Sequence, residues 1–339
     1  MIQDLVSIII PCYNGEHFVD RCMNCLIDQT YKKLEIIIIN DGSLDRSEQK
    51  IKNWNNKLVE QNYIIKYLSQ SNKGSGAAIN SGLKLVTGEY LTLLDIDDLY
   101  MPLSIEKRIN YLKTHEEFGM VRTNGWFVKE DPDSEPIGLL VNEENEKKST
   151  DIFSDLLLGK TNNWAGTYMI RTALLFQWYP DRNIYASRYG QNLQLMLPIA
   201  YTKKSGFIDE PLMMYIRHDQ SSTIMRAEKP EEEIRYLCKN QQGYLDIKEK
   251  MIDMIIKDTK ECIHYKNLIR ISYYRQLMMV AAWFKNKSLM KKSYAELKKR
   301  CNPTVDDRIT YCKVIAPYSI GILRVIRKLV FKFRKLKNL

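Results

Sequence analysis

Short apolar runs alternate with helical patterns along the first hundred residues of the chain. Val6–Ile10, Glu35–Asn40, Ile64–Ser69 and Tyr90–Leu94 have the length and composition of strands buried in a parallel sheet. Between the first two, Phe18, Val19, Cys22 and Leu26 fall on one helix face. Between the next two, Asp45 and Glu48 have the spacing of a capping box ahead of Ile51, Trp54 and Leu58. A further helix is predicted from Pro102, carrying Ile105, Ile109 and Leu112 and ending near His115. Strands and helices spaced in this way form βαβ crossovers, so the fold class is α/β with an open sheet. Its ligand should sit beyond the carboxyl ends of the strands. Four polar loops fall at that edge: Pro11-Cys12-Tyr13-Asn14-Gly15, Asp41-Gly42-Ser43, Asn72-Lys73-Gly74-Ser75-Gly76 and Asp95-Ile96-Asp97-Asp98.

After Pro230 the pattern changes to long helical periodicities, Ile234–Ile256 and Ile263–Phe284, with pauses at Pro303 and Pro317. Two regions are therefore expected: an α/β domain over residues 1–225, divided into halves 1–100 and 101–225, and a helical region over 226–339. On a terminal helix expected over 320–337, Ile322, Ile326, Leu329, Phe333 and Leu336 form an apolar stripe with most of the basic residues opposite. Such a face suits either the plane of an anionic membrane or packing against the first domain or a second subunit. Membrane association is the expectation carried forward.

Composition narrows the reading. With 45% hydrophobic and 27% charged residues in 339, the chain is globular rather than disordered. The formal charge of +10 is concentrated, because residues 320–339 hold seven basic residues and no acid. A general nucleic-acid-binding surface is excluded on that distribution. No apolar run approaches the roughly 18 to 20 residues of a membrane-crossing helix. Met1-Ile2-Gln3-Asp4 carries no basic leader or cleavage signature, so a cytoplasmic location is expected, peripheral at the inner face of the membrane. The seven cysteines have no disulfide-framework spacing. Cys22 and Cys25 lie on an apolar helix face, where buried core is expected rather than zinc or redox chemistry.

The loops carry the candidate chemistry. Asp95, Asp97 and Asp98 follow an apolar strand, which would crowd like charges beside a low-dielectric core. A hard divalent cation such as Mg²⁺ or Mn²⁺ would relieve that repulsion and complete its shell with substrate phosphates. The competing reading is Asp98 as a helix cap and the other acids as solvated. Asp41 can accept a hydrogen bond from a base N–H, and Tyr13 can stack on a base face. Lys73, beside glycines, either offsets diphosphate charge or is a solvated loop lysine.

Ser7-Ile8-Ile9-Ile10-Pro11-Cys12-Tyr13-Asn14, Ile38-Ile39-Asn40-Asp41-Gly42-Ser43, Asn72-Lys73-Gly74 with Asn80, and Leu94-Asp95-Ile96-Asp97-Asp98 resemble, in order, the motifs of the family 2 glycosyltransferases. The resemblance spans about residues 5 to 222 and implies a GT-A fold. It also implies inverting transfer of a sugar from a nucleotide-diphosphate donor, UDP-linked, to a hydroxyl of a glycan or lipid-linked acceptor. By the same resemblance Pro11, Tyr13 and Asp41 line the nucleotide base pocket, and Asn14 and Lys73 join them as candidate nucleotide-sugar contacts. Asp95 would approach the ribose or diphosphate, and Asp97 would bind Mn²⁺ or Mg²⁺. Phe207–Leu212 followed by Tyr215-Ile216-Arg217-His218 and Ser221-Ser222 resembles the segment that closes the catalytic domain. It makes His218 a metal ligand, and Arg217 or Ser222 a diphosphate contact.

One position departs from that pattern. The family's general base is a carboxylate from a Glu-Asp pair at a helix start, and here the pair reads Gln191-Asn192. Amides have no accessible basic form. Three explanations compete: the alignment is shifted, another acid such as Asp181 or Asp209 serves as base, or catalysis rests on positioning and leaving-group stabilisation. A further alternative is a non-catalytic donor-binding partner of another transferase, and a nucleotidyltransferase is the competing enzyme class. Trp164 with Asn162 and Asn163 has the composition of an acceptor platform, or Trp164 belongs to the core. Residues 130–146 read as a surface excursion, a candidate lid. A homo-oligomer or a partner transferase is compatible with the helical region.

Overall fold

The computed structural model describes residues 1–218 and 229–317, so the terminal helix expected over 320–337 and the candidates Ser221 and Ser222 lie outside the described residues. The chain forms two compact units, Met1–Ser221 and Ser222–Leu339.

The first unit opens with the alternation read from the sequence: β1 (Ile2–Cys12), α1 (Val19–Ile27), β2 (Leu34–Asn40), α2 (Ser47–Glu60), β3 (Ile64–Ser69), α3 (Ser75–Leu85) and β4 (Gly88–Leu93). It continues with β5 (Leu99–Tyr100), α4 (Ser104–Thr114), β6 (Phe118–Lys129), β7 (Gly138–Leu139), α5 (Glu144–Lys148) and α6 (Phe153–Leu158). β8 (Tyr168–Arg171), α7 (Thr172–Trp178), α8 (Asn192–Thr202) and β9 (Lys204–Arg217) complete it. The nine strands make one sheet in the order β3-β2-β1-β4-β8-β6-β9-β5, with β7 paired to β6. β1 through β4 are mutually parallel. β8 runs antiparallel to both β4 and β6, and β9 runs parallel to β6. All seven residues of β2 are buried, four consecutive isoleucines among them, which is the signature of a strand covered on both faces. Val19, Cys22, Met23 and Leu26 of α1 join the core beneath it, so the Cys22–Cys25 pair is core as expected.

Two sequence expectations are corrected. The Asp45/Glu48 capping box does not form. α2 is capped at Arg46 without a side-chain bond, and Asp45 accepts instead from the Glu16 and Ser47 amides, each at 3.0 Å. The excursion after β6 is not free over its whole length. Ile137-Gly138-Leu139-Leu140-Val141 is apolar and returns to the sheet, with the Ile137 amide on Phe127 O at 2.8 Å and the Leu140 amide on Gly125 O at 2.9 Å.

Glu35 ties the strand starts together. Its side chain is buried in β2 and accepts from Lys66 Nζ (2.5 Å), Thr87 N (2.9 Å), Thr87 Oγ1 (2.6 Å) and the Ser7 hydroxyl. Burial pushes its carboxyl up, but these donors outweigh that and hold it below the usual glutamate range.

The second unit is helical: α9 (Pro230–Ile255), α10 (Thr259–Trp283), α11 (Lys287–Lys298) and α12 (Val305–Ile315). Pro230 at the first turn and the Asp258 side chain on the Glu261 amide start the two long helices slightly before their apolar periodicity begins. Met278, Ala281, Met290, Leu297 and Val314 form its core, and Asp307 pairs with Arg275 through two bonds of 2.9 Å. Among the described residues no helix is long and apolar enough to cross a membrane.

Glu35→Ala is expected to destabilise the first unit by about 2–3 kcal/mol at neutral pH, since it removes the acceptor of four donors inside the sheet. A carboxyl lowered on folding contributes stability above its unfolded pKa and loses it as pH falls through the folded value. The gap between wild type and variant in urea unfolding should therefore close only below the ordinary glutamate range.

Candidate functional site

The carboxyl ends of β1 to β4 carry the four polar loops, and their side chains bond to one another rather than to solvent alone. The Asn14 side-chain oxygen accepts from the Leu44 amide (2.8 Å), Ser43 Oγ from the Asn14 amide (3.0 Å), and Ser47 Oγ from the Gly15 amide (2.8 Å). Asn14 adopts φ 49° to do so. Gly42, at φ 74°, brings the second loop so close to the third that a Cβ would lie 2.7 Å from Asn72 N. Asp41 is buried and accepts from Gln70 Nε2 (2.7 Å), Lys73 N (3.0 Å) and Gly74 N (2.7 Å). A carboxylate has about four lone-pair sites, so one acceptor direction remains for a ligand N–H. Tyr13 is 49% exposed beside these loops, Pro11 is half-buried at the end of β1, and the Lys73 side chain is exposed.

The fourth loop concentrates charge. Asp98 is buried and accepts from the Ile216 amide at 3.0 Å, which fastens the end of β9 to the loop. His218, one residue past that strand, places Nε2 2.9 Å from Asp97 Oδ2. Burial, and next the charge of Asp97, raise the Asp95 carboxyl to about 7. Asp98 is raised well above the carboxylate range by burial and then by Asp97 and Asp95. Arg21 of α1 opposes this. Its Nη2 donates to Asp97 O at 2.8 Å, its guanidinium lies 4.7 Å from the Phe18 ring, and Phe18 packs at a tilt against His218 with ring centroids 4.4 Å apart. Burial lowers the Arg21 pKa while the Asp97 and Asp98 charges raise it, and Arg21 Nε is buried without a partner among the described residues. Arg21 and Phe18 thus close a ring with His218 and Asp97. In the sequence Phe18 has the position of an ordinary helix-face residue and Arg21 carries no signal of its own, since nothing in their spacing distinguishes them.

The Asp97 carboxylate and His218 imidazole are a donor pair suited to a divalent cation. Among the described residues no third His, Cys, Asp or Glu completes a cluster with them. Mg²⁺ and Mn²⁺ need only one or two protein carboxylates when phosphates and water fill the shell, so these residues fit such an ion. Arg217 is exposed at the end of β9, and its carbonyl accepts from the Glu130 amide at 2.8 Å.

A fifth segment reaches the same edge. Asn80 of α3 grips Ile184 in both directions, Nδ2 to Ile184 O at 2.9 Å and Oδ1 from Ile184 N at 2.8 Å. A Cβ on Gly76 would lie 3.0 Å from Ser187 N. The loop so held delivers Gln191 to the start of α8, where its Oε1 accepts from Ser75 Oγ at 3.2 Å. Asn192 Oδ1 accepts from Tyr168 OH at 2.8 Å. The charge of Asp95 acts on the Tyr168 hydroxyl, so the fourth and fifth loops adjoin. Of the substitute bases, Asp181 is exposed near the beginning of that segment, with its carboxylate on the Asn183 amide. Asp209 lies within β9, where Lys147 (2.8 Å) and then Asn124 (3.0 Å) lower its carboxyl. Trp164 is 39% exposed and stacks at 5.4 Å on Tyr215, which stacks on Phe127 at 5.8 Å. Asn163 is half-buried beside it. Beneath this platform the fully buried Arg108 donates to Gly166 O (3.1 Å), Tyr168 O (3.3 Å) and Thr92 Oγ1 (3.2 Å).

Comparison with known proteins agrees with this geometry. Residues 7–175 match the model of the family described as Glycosyl transferase family 2. An uncharacterized glycosyltransferase of Rickettsia typhi is 43% identical over 108 residues, 32% of this chain and 32% of its own length. Glycosyltransferase GlyA of Streptococcus pneumoniae is 39% identical over 98 residues, 29% of this chain and 14% of its own. The matched stretch is thus a third or less of these relatives' length. S. aureus TarS 1-349, solved with UDP-GlcNAc, is 17% identical and superposes with a TM-score of 0.54 over 90% of each chain. The mannosyltransferase PcManGT of Pyrobaculum calidifontis, solved with GDP-Man and Mn²⁺, is 15% identical. It gives 0.52 over 86% of this chain and 75% of its own. At these identities the likeness is one of fold, and the fold is GT-A.

Asn80→Ala removes a buried two-way clasp and is expected to cost about 1–3 kcal/mol. It should also release the 181–191 segment, so that limited trypsin digestion cuts after Arg182 or Arg188 in the folded variant faster than in wild type. Equal cutting would mean that Asn80 does not hold the loop.

Proposed function

Because this chain belongs to glycosyl transferase family 2 through residues 7–175, we propose that it transfers a sugar from a UDP-linked donor to a hydroxyl of a glycan or lipid-linked acceptor, inverting the anomeric centre. The observation that carries the reading is the convergence of Asp41, Tyr13 and the Asp95–Asp98 loop with His218 at one sheet edge. Asp41 would take the base N–H on its remaining acceptor direction and Tyr13 would cover the base. Asp95 would bond the ribose, and Lys73 and Arg217, both exposed, would meet the diphosphate. Asp97 and His218 would hold Mn²⁺ or Mg²⁺, which when bound supplies charge neutralisation to the departing diphosphate. Trp164 and Asn163 would carry the acceptor, the indole under a sugar ring and the amide on its hydroxyls. The donor half is then 1–100 and the acceptor half 101–225. Peripheral attachment at the inner membrane face is proposed through the basic segment 320–337.

No carboxylate occupies positions 191 and 192, so the acceptor proton is not taken there. Arg21 and the Ile216 amide hold the leaving-group end in place, and the stacked Trp164 orients the nucleophile. Catalysis by this chain rests on those two features. A second reading, a donor-binding subunit that turns over only with another protein, is supported by the same two amides.

Asp97→Ala should abolish donor hydrolysis and transfer while leaving the melting temperature unchanged, and chelation should do the same to wild type. Turnover that persists in metal-free buffer would overturn the metal assignment. Restoring Glu and Asp together, Gln191→Glu with Asn192→Asp, should raise kcat about a hundredfold or more if proton removal limits the rate. An inert double variant that still binds UDP-sugar by calorimetry would favour the subunit reading.

A further inference from the structure

We propose that the α10–α11 corner of the helical unit is an anionic-membrane docking surface, a site distinct from the terminal segment and independent of the catalytic reading. The last turns of α10 leave Met279 and Trp283, one helical turn apart, 59% and 79% exposed, and Gln276 lies on the same face. An indole that bare is rare on a soluble surface, and it stands at the tip of a helix rather than in a groove. The chain then reverses through Lys285, held at φ 52°, and enters α11 with the Asn286 side chain on the Leu289 amide.

α11 supplies the second half of the surface. It buries Met290, Ser293 and Leu297 and exposes Lys287, Ser288, Lys291, Lys292, Ala295 and Lys298, with Lys299 following. From Phe284 to Ala295 the chain contains four lysines and no acid. Among the described residues, none of Lys285, Lys287, Lys291 and Lys292 makes a salt bridge, whereas Lys299 and Arg300 are neutralised by Glu296. The corner therefore presents an aromatic tip beside a continuous cationic face.

That combination fits a lipid surface better than a protein partner. Two apolar side chains bury too little area for a stable protein interface, and lysine is depleted from the centre of such interfaces. An indole placed at headgroup depth, with lysines over anionic lipid, satisfies both halves of the surface at once.

The test uses the full chain and vesicles of phosphatidylcholine with or without phosphatidylglycerol. Wild type should co-sediment with the phosphatidylglycerol vesicles only, and less so in high salt. Lys287→Glu with Lys291→Glu and Lys292→Glu should weaken that binding at least about tenfold. Trp283→Ala should weaken it on the same vesicles. Both variants should keep the wild-type melting temperature and the wild-type rate of donor hydrolysis without vesicles, so a failure here is separable from a failure of the transferase reading. The proposal is overturned if the triple variant binds as wild type does, which would leave attachment to residues outside α10 and α11. It is also overturned if wild type ignores phosphatidylglycerol, or if the variants change only self-association in sedimentation velocity.

Discussion

Three carboxylates at the end of one strand set the terms for the first unit. Asp95, Asp97 and Asp98 follow β4 with a hydrophobic core behind them, where burial and then the charge of Asp97 push Asp95 up, and burial and then the charges of Asp97 and Asp95 push Asp98 up. The chain compensates with donors brought from far along the sequence: Arg21 from α1, the Ile216 amide and His218 from the end of β9. The Ile216 amide offsets the burial of Asp98, because an unbonded carboxyl inside the sheet would cost several kcal/mol. β9 must therefore finish at this loop. Its long pairing with β6 is anchored at the functional end by the same contact that makes the loop possible.

The other loops show the same economy of backbone donors. Strand ends leave N–H groups without ladder partners, and those of Asn14, Gly15, Glu16 and Leu44 are met by side chains from the neighbouring loop. Asp41 takes two amides of the Lys73-Gly74 loop, so a residue expected to face a ligand is also structural. The edge is preorganised as a result, with recognition groups already fixed by bonds between loops.

How much of this the sequence discloses depends on the range of the forces involved. β1 to β4 are legible because isoleucine and valine runs are self-sufficient signals of a strand covered on both sides. The loops at their ends are legible from order alone. β6 and β9 are not, since β6 interrupts its apolar pattern with Arg122 and Asn124, both fully buried. Arg122 is tolerated through Ser205, Thr161 and Ser149, and Asn124 through Val141 and Asp209, partners that lie between 17 and 85 residues away. Asp45 misleads for the same reason: its local spacing predicts a cap, and a bond to Glu16 across the loops wins instead. The Arg21–Phe18 contact is local to the start of α1, but its closure on Asp97 and His218 is tertiary.

The amides at 191 and 192 follow from the same electrostatic constraint. Gln191 Oε1 and Asn192 Oδ1 both act as acceptors, from Ser75 and Tyr168, so either residue keeps the bond a carboxylate would make at its position. What the amides remove is charge. The Tyr168 hydroxyl that Asn192 accepts from already lies in the field of Asp95, and Asp95 and Asp98 are already pushed up by crowding. Neutral acceptors at the start of α8 keep the bonds to Ser75 and Tyr168 without adding two more anions to that field. On the proposed transferase reading, a site built in this way would put its catalytic effort into stabilising the group that leaves rather than into taking the acceptor's proton. On that reading, stabilisation of a departing diphosphate would depend on the charge arrangement around Asp97, which Arg21, Phe18 and His218 hold in place.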